Sequence, residues 1–236
     1  MSMTFSLPKR RRIYLMRHGE VAYFADGKAF RPDEVPLTSH GEVQASAAGQ
    51  LLREVKIDRA LVSPLLRTMQ TAERVINGRD VPIENHDELR EIAPGKLRDL
   101  PADPETILQT FMEAFGTGIS EADQFLGGET FGSMLKRVNS FIDRTLADPT
   151  WSNLLVVAHG GVNRAWLTRA LGTGLDGFGR FEQDPACINM IDVDERGRLL
   201  VRLLNFSPTN AAKTGHRLTT MEELFAHYAG IKTDAE

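Results

Sequence analysis

The chain has 236 residues, 42% apolar and 25% charged, and its 28 Lys and Arg against 32 Asp and Glu give a formal net charge of −4. Those proportions suit a globular domain with a real core. They exclude a general nucleic-acid or anionic-membrane binder, which needs surplus positive charge, and the single cysteine, Cys187, excludes a disulfide framework and suits a reducing, cytoplasmic setting.

Residues 1–8 lack the apolar core of a signal peptide, and no apolar run in the chain approaches the length of about 20 that spans a bilayer. The basic run at 9–12 reads as the solvated flank of an apolar strand at 13–16. A loop rich in Gly, Pro and Asp follows over 20–36. Ser39 with Glu42 has capping-box spacing, with Thr38 as an alternative cap. The helix then extends to Lys56, with Val43, Ala47, Leu51 and Leu52 along one stripe. Residues 60–62 form a second strand. Ser63 and Pro64 read as a cap and first helical residue of a helix that Gly78 stops. Residues 81–83 form a short third strand that Pro82 makes an edge or a strand start. Residues 93–128 break the rhythm: Pro101, Pro104 and several glycines surround one helix at 106–115, so this segment reads as an insertion within a single domain of residues 1–236. A helix at 129–146, a strand at 154–158, a helix at 160–171, a hairpin of 188–193 with 199–204 and a short helix at 221–228 complete the chain. Strands alternating with helices indicate an α/β fold with a mostly parallel sheet covered on both faces.

Three strands end in the same grammar. Residues 13–16 lead into Arg17 and His18. Residues 61–62 lead into Ser63 and Arg67. Residues 156–158 lead into His159 and Gly160. In an open parallel sheet, the residues just past the carboxyl ends gather in one crevice. Two imidazoles, two guanidinium groups and a helix N-terminus there suit a dianion such as phosphate, since guanidinium pairs with two oxygens at once. A neutral imidazole is also a nucleophile toward phosphorus, and flanking arginines disfavour imidazolium. A leaving alkoxide needs a proton, which a carboxyl group raised by burial could supply, and Glu91 stands in a suitable place.

The stretch Leu15-Met16-Arg17-His18-Gly19-Glu20 resembles the opening motif of the histidine phosphatase (phosphoglycerate mutase-like) superfamily. Thr38, Gly41 and Gln44 are similar to its first-helix signature, Ser63-Pro64-Leu65 with Arg67, Gln70 and Thr71 to its second, and Leu89-Arg90-Glu91 with Gly95 to its acid segment. Gly127-Gly128-Glu129 is similar to the entry of its later helix, and Val157-Ala158-His159-Gly160-Gly161 with Arg164 to its second-histidine motif. The resemblance, in family order over about residues 11–171, implies a three-layer α/β/α sandwich with one antiparallel edge strand and the insertion over the crevice. It implies His18 as the nucleophile that carries a phosphohistidine, Arg17, Arg67 and His159 as phosphate ligands with Gly160, and Glu91 as acid and then base. No metal and no cofactor is implied. The partner is a small phosphate ester, with no nucleic acid and no membrane; the oligomeric state is left open. Val21 and Phe24 stand where relatives often carry polar groups. Glu91 is followed by Ile92-Ala93-Pro94, not by the Arg-His-Tyr-Gly of the sugar-phosphate mutases.

Plainer readings stand beside these. Arg17 and Arg67 could be surface ion-pair partners, and Arg164 reads as one. His159 could merely bond to the backbone, and Glu84, Asp87 or Glu88 could replace Glu91. Gly172 to Gly177 fit a dinucleotide pattern but follow a helix, so they read as a stop and loop. His86, His40, His216 and His227 show no metal-ligand spacing. Phe111, Met112, Phe115, Phe125 and Phe131 read as core, the alternative being a cleft that accepts an apolar leaving group. The rival functions are a mutase reloaded by a bisphosphorylated cofactor and a non-catalytic phosphate-ligand protein.

Overall fold

The structure, a computed structural model, describes residues 9–25, 28–96, 103–215 and 217–231; the expectations for residues 1–8, Pro101 and His216 lie outside them. In chain order the elements are β1 (Arg10–Arg17), β2 (Phe24–Ala25), β3 (Lys28–Ala29), α1 (Ser39–Leu51), β4 (Arg59–Val62), α2 (Leu66–Val75), β5 (Ile83–Asn85), α3 (Pro104–Glu113), α4 (Phe131–Ala147), β6 (Asn153–Ala158), α5 (Gly160–Leu171), β7 (Ile188–Asp194), β8 (Leu199–Phe206) and α6 (Thr220–Ala229).

Strands with continuous apolar centres, Ile13 to Met16 of β1 and Leu154 to Ala158 of β6, must be covered on both faces. Ile13, Leu15, Leu154 and Val156 of β1 and β6 pack into the cluster that holds Met134, Val138, Ala165 and Trp166 of α4 and α5. Tyr14, Met16, Leu155 and Val157 pack instead with Ala48, Ala72 and Val75 of α1 and α2. The result is a three-layer α/β/α sandwich. Its sheet has the order β5-β4-β6-β1-β7-β8. The first four strands are parallel, and β7 with β8 makes the antiparallel edge pair. The loop expected over 20–36 carries the β2–β3 hairpin. No helix among the described residues is long and apolar enough to cross a membrane.

Several local expectations are corrected. The cap of α1 is Thr38, whose hydroxyl accepts from Gly41 N at 3.0 Å, and the helix stops at Leu51 rather than Lys56. Its buried side is Gln44, Ala45 and Ala48, while Val43 and Leu51 are exposed. The cause is close packing on α2: a Cβ on Gly49 would lie 2.9 Å from the Arg74 carbonyl oxygen, so only small side chains fit the contact. Ser63 caps nothing; α2 begins at Leu66, after Leu65, with no side-chain cap. β5 lies two residues beyond the expected strand, at the sheet edge, with the Pro82 carbonyl accepting from Ala60 N at 2.9 Å. Within the 93–128 segment, α3 is capped by Asp103 and starts at Pro104, two residues early. Glu129 N donates to the Ala93 carbonyl at 2.8 Å, tying the segment's ends together, and Ile107, Phe111 and Phe125 join the core.

Candidate active site

β1, β6 and β4 are neighbours with Arg17 opposite Ala158 and Val62 opposite Val157, so the residues that follow them emerge side by side. His18 N donates to the Ala158 carbonyl at 3.1 Å and Ser63 N to the Val157 carbonyl at 3.0 Å. The rings of His18 and His159 consequently meet, with centroids 5.3 Å apart. His18 Nδ1 lies 2.7 Å from the Gly19 carbonyl oxygen. A carbonyl only accepts, so Nδ1 carries the hydrogen and Nε2 keeps the lone pair.

The loop after His18 is held by the residues that looked like helix signatures. Gly19 N donates to Thr71 Oγ1 at 3.0 Å and Glu20 N to Gln44 Oε1 at 2.9 Å. Thr38 Oγ1 donates to Glu20 Oε1 at 2.7 Å, and Leu37 N donates to Gln70 Oε1 at 2.9 Å. Val21 is buried and bridges Leu37, an apolar contribution to this loop.

Arg17 and Arg67 are buried, not surface ion-pair partners. Arg17 Nη1 donates to the Gln183 carbonyl and to Thr220 Oγ1 at 3.1 Å, and Arg67 Nη1 to the Pro32 carbonyl at 2.7 Å. His159 does not bond the backbone through its ring: Nε2 lies 2.8 Å from Ser63 Oγ. Among the described residues, the buried side-chain nitrogens without a hydrogen-bond partner include three from the groups gathered here, Arg17 Nε, Arg67 Nε and His159 Nδ1; the others are His86 Nε2, Arg164 Nε and Trp166 Nε1. Buried polar atoms are almost always bonded, and such unpartnered atoms on cationic and imidazole side chains fit an anion that is to be bound.

Glu91 is half-buried. Its Oε1 accepts from Ile92 N at 2.9 Å and its Oε2 from Gly161 N at 3.1 Å, at the N-terminus of α5. A Cβ on Gly161 would sit 2.6 Å from Glu91 Oε1, so a side chain there would push the carboxylate aside. A Cβ on Gly160 would lie 3.8 Å from Glu91 Oε2 and 3.9 Å from Arg17 Nε, so acid and guanidinium converge at that point. The competing carboxylates turn elsewhere: Glu84 to Arg59, Asp87 to Arg90 and Glu88 to Arg144.

Residues that the sequence reading missed complete the site. Arg137 of α4 donates from Nη1 to the Glu88 and Arg90 carbonyls at 2.7 Å each and from Nη2 to the Glu91 carbonyl at 3.3 Å. Both Glu129 oxygens hold its far edge at 2.9 Å. Arg164, expected on the surface, is fully buried: it donates to the Phe178 and Phe181 carbonyls and pairs with Glu182 at 3.0 Å. Glu182 in turn accepts from Thr220 Oγ1, which accepts from Arg17. Gly172 ends α5 in the left-handed conformation, as the stop-and-loop reading expected. His86 packs on the Phe141 ring at 4.9 Å.

Burial, and after it the charges of Arg67 and Arg17, holds the His18 imidazole well below its ordinary value; burial and the same arginines lower His159, with His18 between them in weight. Burial is thus the larger cause, ahead of the arginines from which the sequence argument started. An imidazole depressed in the folded chain binds protons less readily than in the unfolded one. Stability is therefore full above about pH 6.5 and falls as pH drops, by up to about 1.4 kcal/mol per pH unit for each ring. A urea midpoint that declines between about pH 7.5 and pH 5.5 is expected; one that stays level or rises would contradict neutral buried rings.

The sequence profile of the histidine phosphatase superfamily (branch 1) matches residues 13–205. The chain is 31% identical over 201 residues to the adenosylcobalamin/alpha-ribazole phosphatase of Escherichia coli (strain K12), covering 82% of this chain and 95% of that protein. It is 26% identical over 194 residues to phosphoserine phosphatase 1 of Hydrogenobacter thermophilus, covering 81% and 91%. The crystal structure of a putative alpha-ribazole-5'-P phosphatase from Escherichia coli K-12 superposes with a TM-score of 0.68 at 30% identity, covering 83% of this chain and 96% of that one. On these grounds the chain belongs to the histidine phosphatase superfamily.

Proposed function

We propose that this enzyme hydrolyses a small phosphate monoester without a metal, through a phosphohistidine on His18. The observation that carries the reading is the pair of buried imidazoles with centroids 5.3 Å apart, close to the buried guanidinium groups of Arg17 and Arg67 whose Nε atoms lack a protein partner. His18 Nε2 attacks phosphorus, an N–P bond forms and the ester P–O bond breaks. Arg17, Arg67 and His159, with the backbone at Gly160, hold the non-bridging oxygens and offset their charge. Glu91 gives a proton to the departing alkoxide, then takes one from the water that attacks phosphohistidine, releasing inorganic phosphate. The reading treats residues 1–236 as one functional unit, with residues 103–128 forming a wall of the crevice. The names of the relatives extend to alcohols as different as alpha-ribazole and serine, and a probable phosphoglycerate mutase of Erwinia tasmaniensis is 27% identical over 186 residues. A panel of phosphate monoesters assayed with a strong chelator tests the proposal. Phosphate release that survives the chelator is expected. Release that vanishes with it rejects the metal-free route, and phosphoglycerate isomerised only when a bisphosphorylated cofactor is added assigns a mutase instead.

A further inference from the structure

The aromatic residues of the 93–128 segment, with Phe131 at the start of α4, divide by position. Phe111, Phe125 and Phe131 are buried in the core, as the plainer reading expected. Phe115, just past the end of α3, is only half-buried, although the groups around it are packed. It stacks on Phe125 with centroids 5.0 Å apart, meets the edge of Phe178 at 5.6 Å, and has the Arg164 guanidinium 5.3 Å from its centroid. Arg164 is itself committed to Glu182 and two carbonyls, so the ring is braced from behind and cannot swing freely. Its Cε2 edge comes within 4.0 Å of the position a Gly160 Cβ would take, the same point that lies 3.8 Å from Glu91 Oε2 and 3.9 Å from Arg17 Nε.

That placement bears on the alcohol. The group that protonates the leaving oxygen must lie beside it, and the carbon skeleton attached to that oxygen begins within a bond length. An apolar ring edge at a point between the acid and the Arg17 guanidinium therefore stands where the alcohol joins the phosphoryl group, and the alcohol is the part with apolar surface to set against it. We propose that Phe115 determines leaving-group specificity, favouring esters whose alcohol carries an aromatic or bulky apolar group against this ring edge. The proposal rests on the phosphatase reading above, with Glu91 as the acid. Covering a rigid aromatic surface rewards an apolar partner and gives a polyol nothing to bond with.

The test compares phenylpropyl phosphate, propyl phosphate and glycerol phosphate, whose alcohols are similarly weak acids, so differences report recognition rather than leaving-group chemistry. Wild-type kcat/KM for phenylpropyl phosphate should exceed that for the other two by about 10-fold or more, within the range that apolar contacts give. Phe115→Ala should lose most of that margin through KM. It should leave glycerol phosphate turnover and inhibition by inorganic phosphate within about twofold, the latter showing the phosphate site intact. Phe115→Leu, which keeps apolar bulk, should recover part of the margin. A wild type without the preference, or variants that slow all three esters alike, would overturn the proposal. Turnover that persists in His18→Ala would instead sink the phosphohistidine route while leaving the preference readable, so the two failures are distinguishable.

Discussion

His18→Ala is expected to lower kcat by about 10⁴-fold or more, the scale seen when a covalent nucleophile is removed. The two arginines and His159 are untouched by the change, so inorganic phosphate should still inhibit or bind. The reason is electronic: the hydrogen bond from Nδ1 to the Gly19 carbonyl leaves a lone pair on Nε2, and no other nucleophile occupies that position. Quenching wild-type turnovers in base and measuring intact mass should trap one added phosphoryl group on the wild type and none on the variant. A variant that keeps activity within tenfold of wild type would remove His18 from the chemistry.

Glu91→Gln is expected to cost about 10²- to 10⁴-fold on alkyl phosphates, the usual contribution of a positioned acid. The amide keeps the shape and can accept from Ile92 N or Gly161 N, but it has no acidic proton to give. Nitrophenyl phosphate, whose leaving anion is stable unprotonated, should lose far less in the phosphorylation step. Because the same residue activates water in the second step, the variant should show a burst of nitrophenol followed by slow turnover. Equal losses on both leaving groups, without a burst, would show that Glu91 supports the loop rather than the proton.

The ordering of the elements and the meeting of the two histidines were legible because they follow from apolar runs and from what stands after each run. What could not be read is where tertiary packing overrides local pattern. Val43 and Leu51 looked like the inner stripe of α1 because size and apolarity set the pattern, whereas contact across Gly49 admits only small side chains. Ser63 has the look of a cap, but its hydroxyl lies against His159, a partner 96 residues away. Arg164 looked like a solvent-facing charge, and burial becomes intelligible only with Glu182 and the carbonyls of Phe178 and Phe181 in place. Arg137 gave no signal at all. Beside Glu129, its partners are carbonyl oxygens, which every residue carries, and only the fold selects which ones.

The strand order also governs when the protein can come into being. β1 lies between β6 and β7, so both of its pairing edges stay open until residues 153–194 have been made. At ribosomal speeds of about 5–20 residues per second, a strand whose apolar centre, Ile13 to Met16, lies between arginines waits several seconds or more for its first neighbour. β1 therefore cannot nucleate the sheet, whereas β4 and β5 can pair as soon as residue 85 has been made. The pocket that gathers His18, Arg67, Glu91 and His159 is assembled only after residue 159 has been made, and nascent chains are the stage at which aggregation competes most strongly with folding.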